Sequence, residues 1–286
     1  DLKETDVSEE TLPDGADIPQ RVKSGSLWQL GQHRLYCGDS LKPESFQILL
    51  SDEKANLIFC DPPYNVPING HVLGKENSKH SEFAFASGEM SESEFIAFLR
   101  QAFENMSSHS TDGSIHYICM DWRHVREMNE AAQDVYSELK NICVWNKQTG
   151  GMGSLYRSQH EFIFVFKNGT SPHINNIELG KHGRYRTNIW DYHGVNATGP
   201  HAKNLKFHPT VKPVSMIADA IIDCSKQGDT VLDCFGGSGS TLLAAERTKR
   251  KARLIEYEPK YCDVILHRFE EMTGITPQLM EEENVG

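Results

Sequence analysis

The stretch Asn56-Leu57-Ile58-Phe59-Cys60-Asp61-Pro62-Pro63-Tyr64 passes from apolar to rigid and polar within nine residues. Its apolar half reads as a buried strand. The two prolines fix φ and have no N–H to donate. The chain is therefore stiff at the strand's carboxyl end, and its carbonyls are free to accept bonds from a ligand. A second stretch of this kind lies far downstream. Thr230-Val231-Leu232 runs into Asp233-Cys234-Phe235-Gly236-Gly237-Ser238-Gly239-Ser240-Thr241. The two strand ends are expected to face one another across one cleft.

Strand and helix patterns alternate through the intervening chain. Strands are expected at 27–30, 33–37, 56–60, 114–120, 141–146, 160–166, 230–234 and 252–256. Helices are expected near 43–50, 91–107, 122–136, 214–225, 240–248 and 259–272. Phe95, Phe98, Leu99, Ala102, Phe103 and Met106 repeat at spacings of three and four, which gives one apolar helix face. Ser91 with Glu94 forms a capping-box pattern ahead of that helix. Such alternation argues for an α/β fold with a parallel sheet and helices on both faces. Sheets of that kind bind ligands outside the carboxyl ends of their strands.

With 286 residues and 38% hydrophobic content, the chain can bury a sizeable core. Residues 1–26 read as a flexible acidic leader, 27–274 as the functional domain, and 275–286 as an acidic tail. Residues 65–90 lack periodicity and read as a mobile loop. No apolar run is long enough to cross a membrane, and no secretory pattern opens the chain. A cytoplasmic setting is expected. The first residue is Asp1 rather than Met, which leaves a longer parent protein open. Seven cysteines stand singly, without a Cys-x-x-Cys pair; this argues for reduced structural thiols and against a metal site.

The net charge of −11 is a poor signature for a nucleic-acid binder, but its distribution is uneven. Seven acids crowd residues 1–20. Residues 180–212 instead hold Lys181, Arg184, Arg186, Lys203, Lys206 and Lys212 against Asp191 alone. A polyanion site is favoured there over a solvated loop.

A strand, a glycine-rich turn and a helix allow close backbone approach to a ligand. Gly239-Ser240-Thr241 lacks the Lys of a phosphate-cradling loop, and Leu242 replaces the third Gly of a dinucleotide fingerprint. Glu256 ends the next strand, where an acid bonds ribose hydroxyls. Asp233 would suit a positive amino-acid end and repel a pyrophosphate. A cationic adenosine cofactor fits this set better than a dinucleotide. Asp39, in Gly38-Asp39-Ser40, is read either as a partner of an adenine amine or as a cap for the next helix. Thr210 and Lys212 would suit a ligand carboxylate; Lys212 read as a solvated surface charge is the plain alternative. At the other stretch, Asp61 can accept one N–H of an exocyclic amine and the Pro62 carbonyl the other, while Tyr64 stacks on a base. The nitrogen lone pair then turns out of conjugation toward an electrophile. A plain Asp-Pro turn with a buried Tyr is the alternative.

On these residues the chain resembles the S-adenosylmethionine-dependent DNA amino-methyltransferases of the beta-ordered group. Asp61-Pro62-Pro63-Tyr64 precedes Phe235-Gly236-Gly237-Ser238-Gly239, the order of that group. Gly38-Asp39, His208-Pro209-Thr210-x-Lys212-Pro213 and Glu256-x-x-Pro259-x-Tyr261 with Arg268 add to the likeness, which spans roughly residues 27–273. The resemblance implies a Rossmann-like methyltransferase fold, a circularly permuted seven-strand and mostly parallel sheet with a small inserted target-recognition region at 168–207. It implies S-adenosylmethionine as cofactor, held by Asp39, Asp61, Thr210, Lys212, Asp233, Phe235, Gly236, Gly237, Ser238, Gly239, Ser240, Thr241 and Glu256. Asp61, Pro62, Pro63 and Tyr64 would be catalytic. The substrate would be double-stranded DNA with the target base flipped out, and a homodimer is the family's habit. Asp at the first position implies adenine N6; cytosine N4 is the alternative, and an inactive DNA-binding accessory a further one.

Overall fold

The structure, a computed structural model, describes residues 18–65, 88–151, 155–181, 183–194 and 211–280. Among the described residues ten strands form one sheet. In chain order they are β1 (Leu27–Leu30), β2 (His33–Cys37), β3 (Ala55–Cys60), β4 (Ser110–Met120), β5 (Glu138–Asn146), β6 (His160–Lys167), β7 (Ile189–Asp191), β8 (Thr230–Asp233), β9 (Lys251–Glu256) and β10 (Gln278–Met280). The helices are α1 (Pro43–Leu50), α2 (Glu92–Ser108), α3 (Val125–Ala132), α4 (Val214–Cys224), α5 (Ser240–Arg247) and α6 (Pro259–Thr273).

The strand order is β10-β1-β2-β9-β8-β3-β4-β6-β5-β7. β1 and β6 run against their neighbours, and the other eight strands point one way. The seven-strand core expected from the sequence is the run β2 to β5. β10 and β1 extend that core at one edge and β7 at the other, giving ten strands among the described residues. β8, reached late in the chain, pairs with the early strand β3 through Leu57↔Val231 and Ile58↔Leu232. The two marked strand ends are therefore next-door neighbours at the sheet's centre.

Central strands covered on both faces read as continuous apolar runs. Alternate residues of β3 go to opposite sides. Leu57 and Phe59 join a core with α4, α5 and α6, while Ile58 and Cys60 join one with α1, α2 and α3. Phe46, Phe95 and Phe103 are fully buried in the second core. α2 begins with the capping box that Ser91 and Glu94 predict, both of its bonds being formed.

Several boundaries differ from the sequence reading. β4 starts at Ser110 and β5 at Glu138. The helix expected from residue 122 opens as a 3₁₀ turn, Trp122–His124, and its α-helical part stops at Ala132. Residues 18–26, assigned to the flexible leader, are packed: Val22 is 7% exposed, and the Arg21 and Val22 amides donate to Asp263 Oδ1 at 2.9 and 3.0 Å. An apolar side chain with a buried acid waiting for the adjacent N–H groups is enough to dock a short polar segment. The tail likewise contributes β10, which pairs with β1. The middle of the 65–90 loop lies outside the described residues. Its ends are drawn together by Asn65, whose Nδ2 donates to the Met90 carbonyl at 2.8 Å. The Asn65 Oδ1 accepts the amides of Gly88 and Met90 at 3.1 and 3.2 Å.

Candidate active site

The shared direction of β2, β9, β8 and β3 brings their carboxyl ends to one edge of the sheet. Asp39, Glu256, Asp233 and Asp61 thus stand side by side. Because β6 is reversed, its amino end joins the same edge and brings Glu161 to it. β5 ends there too, and Lys147 follows it.

The glycine loop is braced from beneath. Asp233 Oδ1 accepts the Phe235 amide at 3.1 Å, and Oδ2 accepts the Thr241 hydroxyl at 2.6 Å. Glu256 Oε2 accepts the Gly237 amide at 2.8 Å, and Oε1 the Glu258 amide at 2.9 Å. Arg268, buried in α6, donates to the Ser238 carbonyl at 2.6 Å and its hydroxyl at 3.1 Å. Gly237 and Gly239 sit at φ +52° and +83°, a region L side chains rarely adopt. A Cβ on Gly239 would also lie 3.0 Å from Ile265. Burial pushes the Asp233 carboxyl up to about 6 and the Glu256 carboxyl up to about 7, against the backbone and hydroxyl donors that favour their charged forms. Because burial disfavours their negative charge, a cation beside these two carboxyls would be a favourable partner. Ser240 Oγ is buried at the start of α5 with no hydrogen-bond partner among the described residues. This orphaned hydroxyl, the acids and the left-handed glycines fit a ligand that is cationic and polar at this loop. Asp39 Oδ1 accepts the Leu41 amide at 2.9 Å in the turn before α1, whose N-cap is Lys42 and which has no side-chain cap, so Asp39 does not cap that helix.

The rim at Asp61 is a closed ring of four side chains. Asp61 Oδ1 accepts the Tyr64 hydroxyl at 2.6 Å, and Oδ2 accepts the Lys212 ammonium at 2.5 Å. Glu161 Oε2 accepts from Lys212 at 3.1 Å and lies 3.0 Å from the Tyr64 hydroxyl, whose single proton is shared between the two carboxylates. Lys147 donates to Glu161 Oε1. Burial pushes the Asp61 carboxyl up, against the pull of Lys212. Burial also opposes charge on Glu161, but Lys212 and Lys147 outweigh it and hold that carboxyl at about 2. Tyr64 is held well above its ordinary range by burial and by both acids, so it remains a hydroxyl donor. Asp61, Pro63 and Tyr64 are half-buried and Pro62 is buried.

The sequence offered Lys212 to a ligand carboxylate or to solvent. It is only 4% exposed, and two carboxylates of the chain itself hold it. Thr210 and His208 lie outside the described residues. Glu161 and Lys147 were not foreseen. Their signal is an acid inside the apolar strand Glu161-Phe162-Ile163-Phe164-Val165-Phe166, where a charge is unexpected unless it is paired. The basic stretch is also reassigned in part. Arg184 binds Asp223 at 2.7 Å, and Arg186 binds it at 3.0 Å. Asp219 adds a further bond to Arg184 at 3.2 Å. These two guanidiniums fasten the segment to α4; Lys203 and Lys206 lie outside the described residues. The Cys60 and Cys234 sulfurs lie 3.5 Å apart, and burial pushes the Cys60 thiol up, as for packed, unreactive cysteines. Among the described residues no cluster of His, Cys, Asp or Glu is arranged to hold a metal, and no helix is long and apolar enough to cross a membrane.

A permuted, mostly parallel sheet with an acid-proline rim beside a glycine loop defines a methyl-transferring class of α/β protein. The chain belongs to the N6/N4 DNA methylase family, whose family model matches residues 55–267. It is 26% identical over 244 residues to the Type II methyltransferase M2.MboI of Moraxella bovis, covering 80% of this chain and 86% of that one. It is 23% identical over 255 residues to the Type II methyltransferase M.HpaI of Haemophilus parainfluenzae, covering 83% and 74%. Among solved structures, PvuII DNA methyltransferase (cytosine-N4-specific) superposes with a TM-score of 0.62 at 16% identity, covering 90% of this chain and 89% of that one. The M1.HpyAVI–SAM complex does so with 0.58 at 18% identity, covering 82% and 97%. These two show likeness of fold.

Proposed function

We propose that this DNA methylase transfers the sulfonium methyl of S-adenosylmethionine to N6 of an adenine turned out of duplex DNA. The observation that carries the reading is the adjacency of the Asp61–Tyr64 rim to the glycine loop on neighbouring strands. When bound, S-adenosylmethionine supplies an electrophilic methyl on sulfur and departs as S-adenosylhomocysteine. Asp233, Phe235, the run Gly236 to Thr241, and Glu256 would hold it, with Asp39 at the adenosine end; Thr210, outside the described residues, is a further candidate. The acids suit its positive charges, and the Ser240 hydroxyl has hydrogen-bonding capacity to spare.

Each carboxylate oxygen has two lone-pair sites. One on each Asp61 oxygen is used by Tyr64 or Lys212, so one remains for an amine N–H. Asp61 and the Pro62 carbonyl take the two hydrogens, and the nitrogen lone pair turns toward the methyl. The S–CH₃ bond breaks as the N–CH₃ bond forms. The methylated amine is briefly cationic and acidic, so its proton passes to water without a strong base. Catalysis is positioning and electrostatic stabilisation, without a covalent nucleophile. Tyr64 stacks on the base, which must leave the helix to reach it.

Adenine is favoured by Asp61 at the first motif position. Cytosine N4 is the second reading, and it is favoured by the fold likeness to the cytosine-N4-specific PvuII enzyme. A homodimer, acting on DNA in a prokaryotic cytoplasm, is the assembly this reading carries. The test is incubation with isotopically labelled S-adenosylmethionine and duplex DNA, followed by mass spectrometry of the nucleosides. N6-methyladenine is expected. N4-methylcytosine assigns the second reading, and no labelled base overturns both.

A further inference from the structure

We propose that Glu161 is a positioning residue for methyl transfer, acting from β6 by holding both Lys212 and Tyr64 so that Asp61 stays aimed at the target amine. This rests on the amine-methylating reading of the rim. Glu161 does not lie on the Asp61–Tyr64 segment and is 97 residues from Tyr64 in the chain. Its Oε2 alone meets the two groups that also hold Asp61, Lys212 at 3.1 Å and Tyr64 at 3.0 Å. Asp61 cannot turn about its own side-chain axis without breaking one of its two bonds. Neither Lys212 nor Tyr64 can follow that turn without leaving Glu161. The ring of contacts is thus locked on the side away from the open rim.

Glu161 is also the hinge of a buried charge alternation. Lys147, Glu161, Lys212 and Asp61 follow one another as plus, minus, plus, minus. Both ammonium groups lie over the Trp145 ring, Lys147 at 5.0 Å and Lys212 at 5.9 Å. Glu161 is 5% exposed and Lys212 4%, so neither charge is satisfied by solvent. A buried pair broken on one side leaves an uncompensated charge. The row explains why an acid is built into an otherwise apolar strand.

The groups that face Asp61 are Tyr64 on its own segment, Lys212 ahead of α4, Glu161 on β6 with Lys147 behind it, Cys119 on β4 and Asp233 on β8. Removing the negative charge of Glu161 makes Asp61 easier to ionise. Removing the positive charge of Lys147 makes it harder. The two substitutions therefore move the acidic limb of a pH–rate profile in opposite directions, which loss of fold alone does not do.

The experiment measures single-turnover methyl transfer to duplex DNA with S-adenosylmethionine prebound, across pH, for wild type, E161Q and K147Q. Calorimetry of S-adenosylmethionine binding runs alongside. E161Q is expected to slow transfer roughly 10–100-fold, as for a misaimed reacting group. Its cofactor affinity stays at the wild-type value, and its acidic limb moves to lower pH. K147Q, on a residue 30% exposed and able to tolerate the change, slows transfer about threefold, and its limb moves to higher pH. E161Q at the wild-type rate overturns the proposal, as does a slowed enzyme whose limb stays in place. If E161Q does not fold, K147Q decides alone, and a wild-type rate and profile there overturn the proposal. A wild type that methylates nothing overturns the parent reading and this one with it; an active wild type with unaffected variants overturns this one only.

Discussion

Asp61 has to be both half-buried and charged, and the residues around it settle that conflict. Burial alone pushes its carboxyl up, while Lys212 at 2.5 Å and the Tyr64 hydroxyl at 2.6 Å favour the carboxylate. Asp61→Ala removes the acceptor for the target amine but leaves Lys212 its partner in Glu161. Transfer is expected to fall by at least about 10²–10³, the scale of a lost transition-state hydrogen bond. Cofactor binding in calorimetry should persist, and its loss would move Asp61 from catalysis to cofactor holding. Asp233 and Glu256 differ, because their pKa values are raised by burial to about 6 and about 7. A carboxyl whose pKa is higher folded than unfolded contributes stability that is full below the unfolded value and lost as pH rises through the folded value. The cofactor-free protein should gain from these two groups as pH falls from 8 to about 5.5. A cationic cofactor prefers their charged forms. The increase in melting temperature on adding S-adenosylmethionine should therefore be larger at pH 8 than at pH 5.5. An increase independent of pH would remove these two acids from contact with the donor's charge. Asp61, Asp233 and Glu256 were legible in the sequence because each ends or directly follows a strand beside a proline or glycine signal, and Tyr64 because it closes the proline rim after β3. Glu161 was not, since only the reversal of β6 brings it to this edge.

The elements explain which parts of the fold could be read in advance. Helices α1, α2, α4, α5 and α6 lie within a residue or two of their expected bounds, because apolar spacing coincides there with a proline, a glycine or, in α2, a capping box at the start. β7 and β10 were missed: three-residue strands have no alternation to display, and pairing with β5 and β1 creates them. The segment leading into β7 was read as a basic surface, yet its arginines are fasteners. Asp223, 1% exposed on α4, receives Arg184 and Arg186, and Tyr192 donates to Asp219 at 2.5 Å. Side-chain pairing between a loop and a helix some 40 residues away has no periodic signature. Asp223→Ala would remove the buried acid that both guanidiniums share and leave them only the more exposed Asp219. Urea unfolding should show a loss of about 3–5 kcal/mol, the scale of breaking a buried ion pair on one side. A loss below about 1 kcal/mol would mean that the pairs behave as surface bridges. The apolar face of α2 gives a parallel test: Phe103 is fully buried against Tyr136 and Phe166, at ring distances of 5.6 and 6.2 Å. Phe103→Ala is expected to lower stability by about 3–5 kcal/mol.

At the scale of the whole molecule, an acidic chain must approach a polyanion. Net charge −11 opposes association, and the row of acids along the site edge adds to that locally. The edge nevertheless divides by function. Asp39, Asp233 and Glu256 crowd the half proposed for a cationic donor, whereas at the Asp61 half each acid is matched by an ammonium. DNA attraction must then come from bases that the fold has not already spent. Arg184 and Arg186 are spent on Asp219 and Asp223, and Lys212 on Asp61 and Glu161. Besides Lys181, which pairs with Glu178 at 2.7 Å, the stretch carries Lys203 and Lys206, which lie outside the described residues. For duplex DNA the logarithm of affinity falls with the logarithm of salt by about 0.9 per neutralised phosphate. Binding measured between low and moderate salt separates the two classes of base. Lys203→Gln or Lys206→Gln should reduce that slope by about one and weaken binding across all sequences alike. Arg186→Gln should leave the slope at the wild-type value while lowering stability, because its charge faces Asp223 and not the phosphates. An equal drop in slope for all three would show that the Arg186–Asp223 pair opens when DNA arrives, and that the segment before β7 is a DNA contact after all.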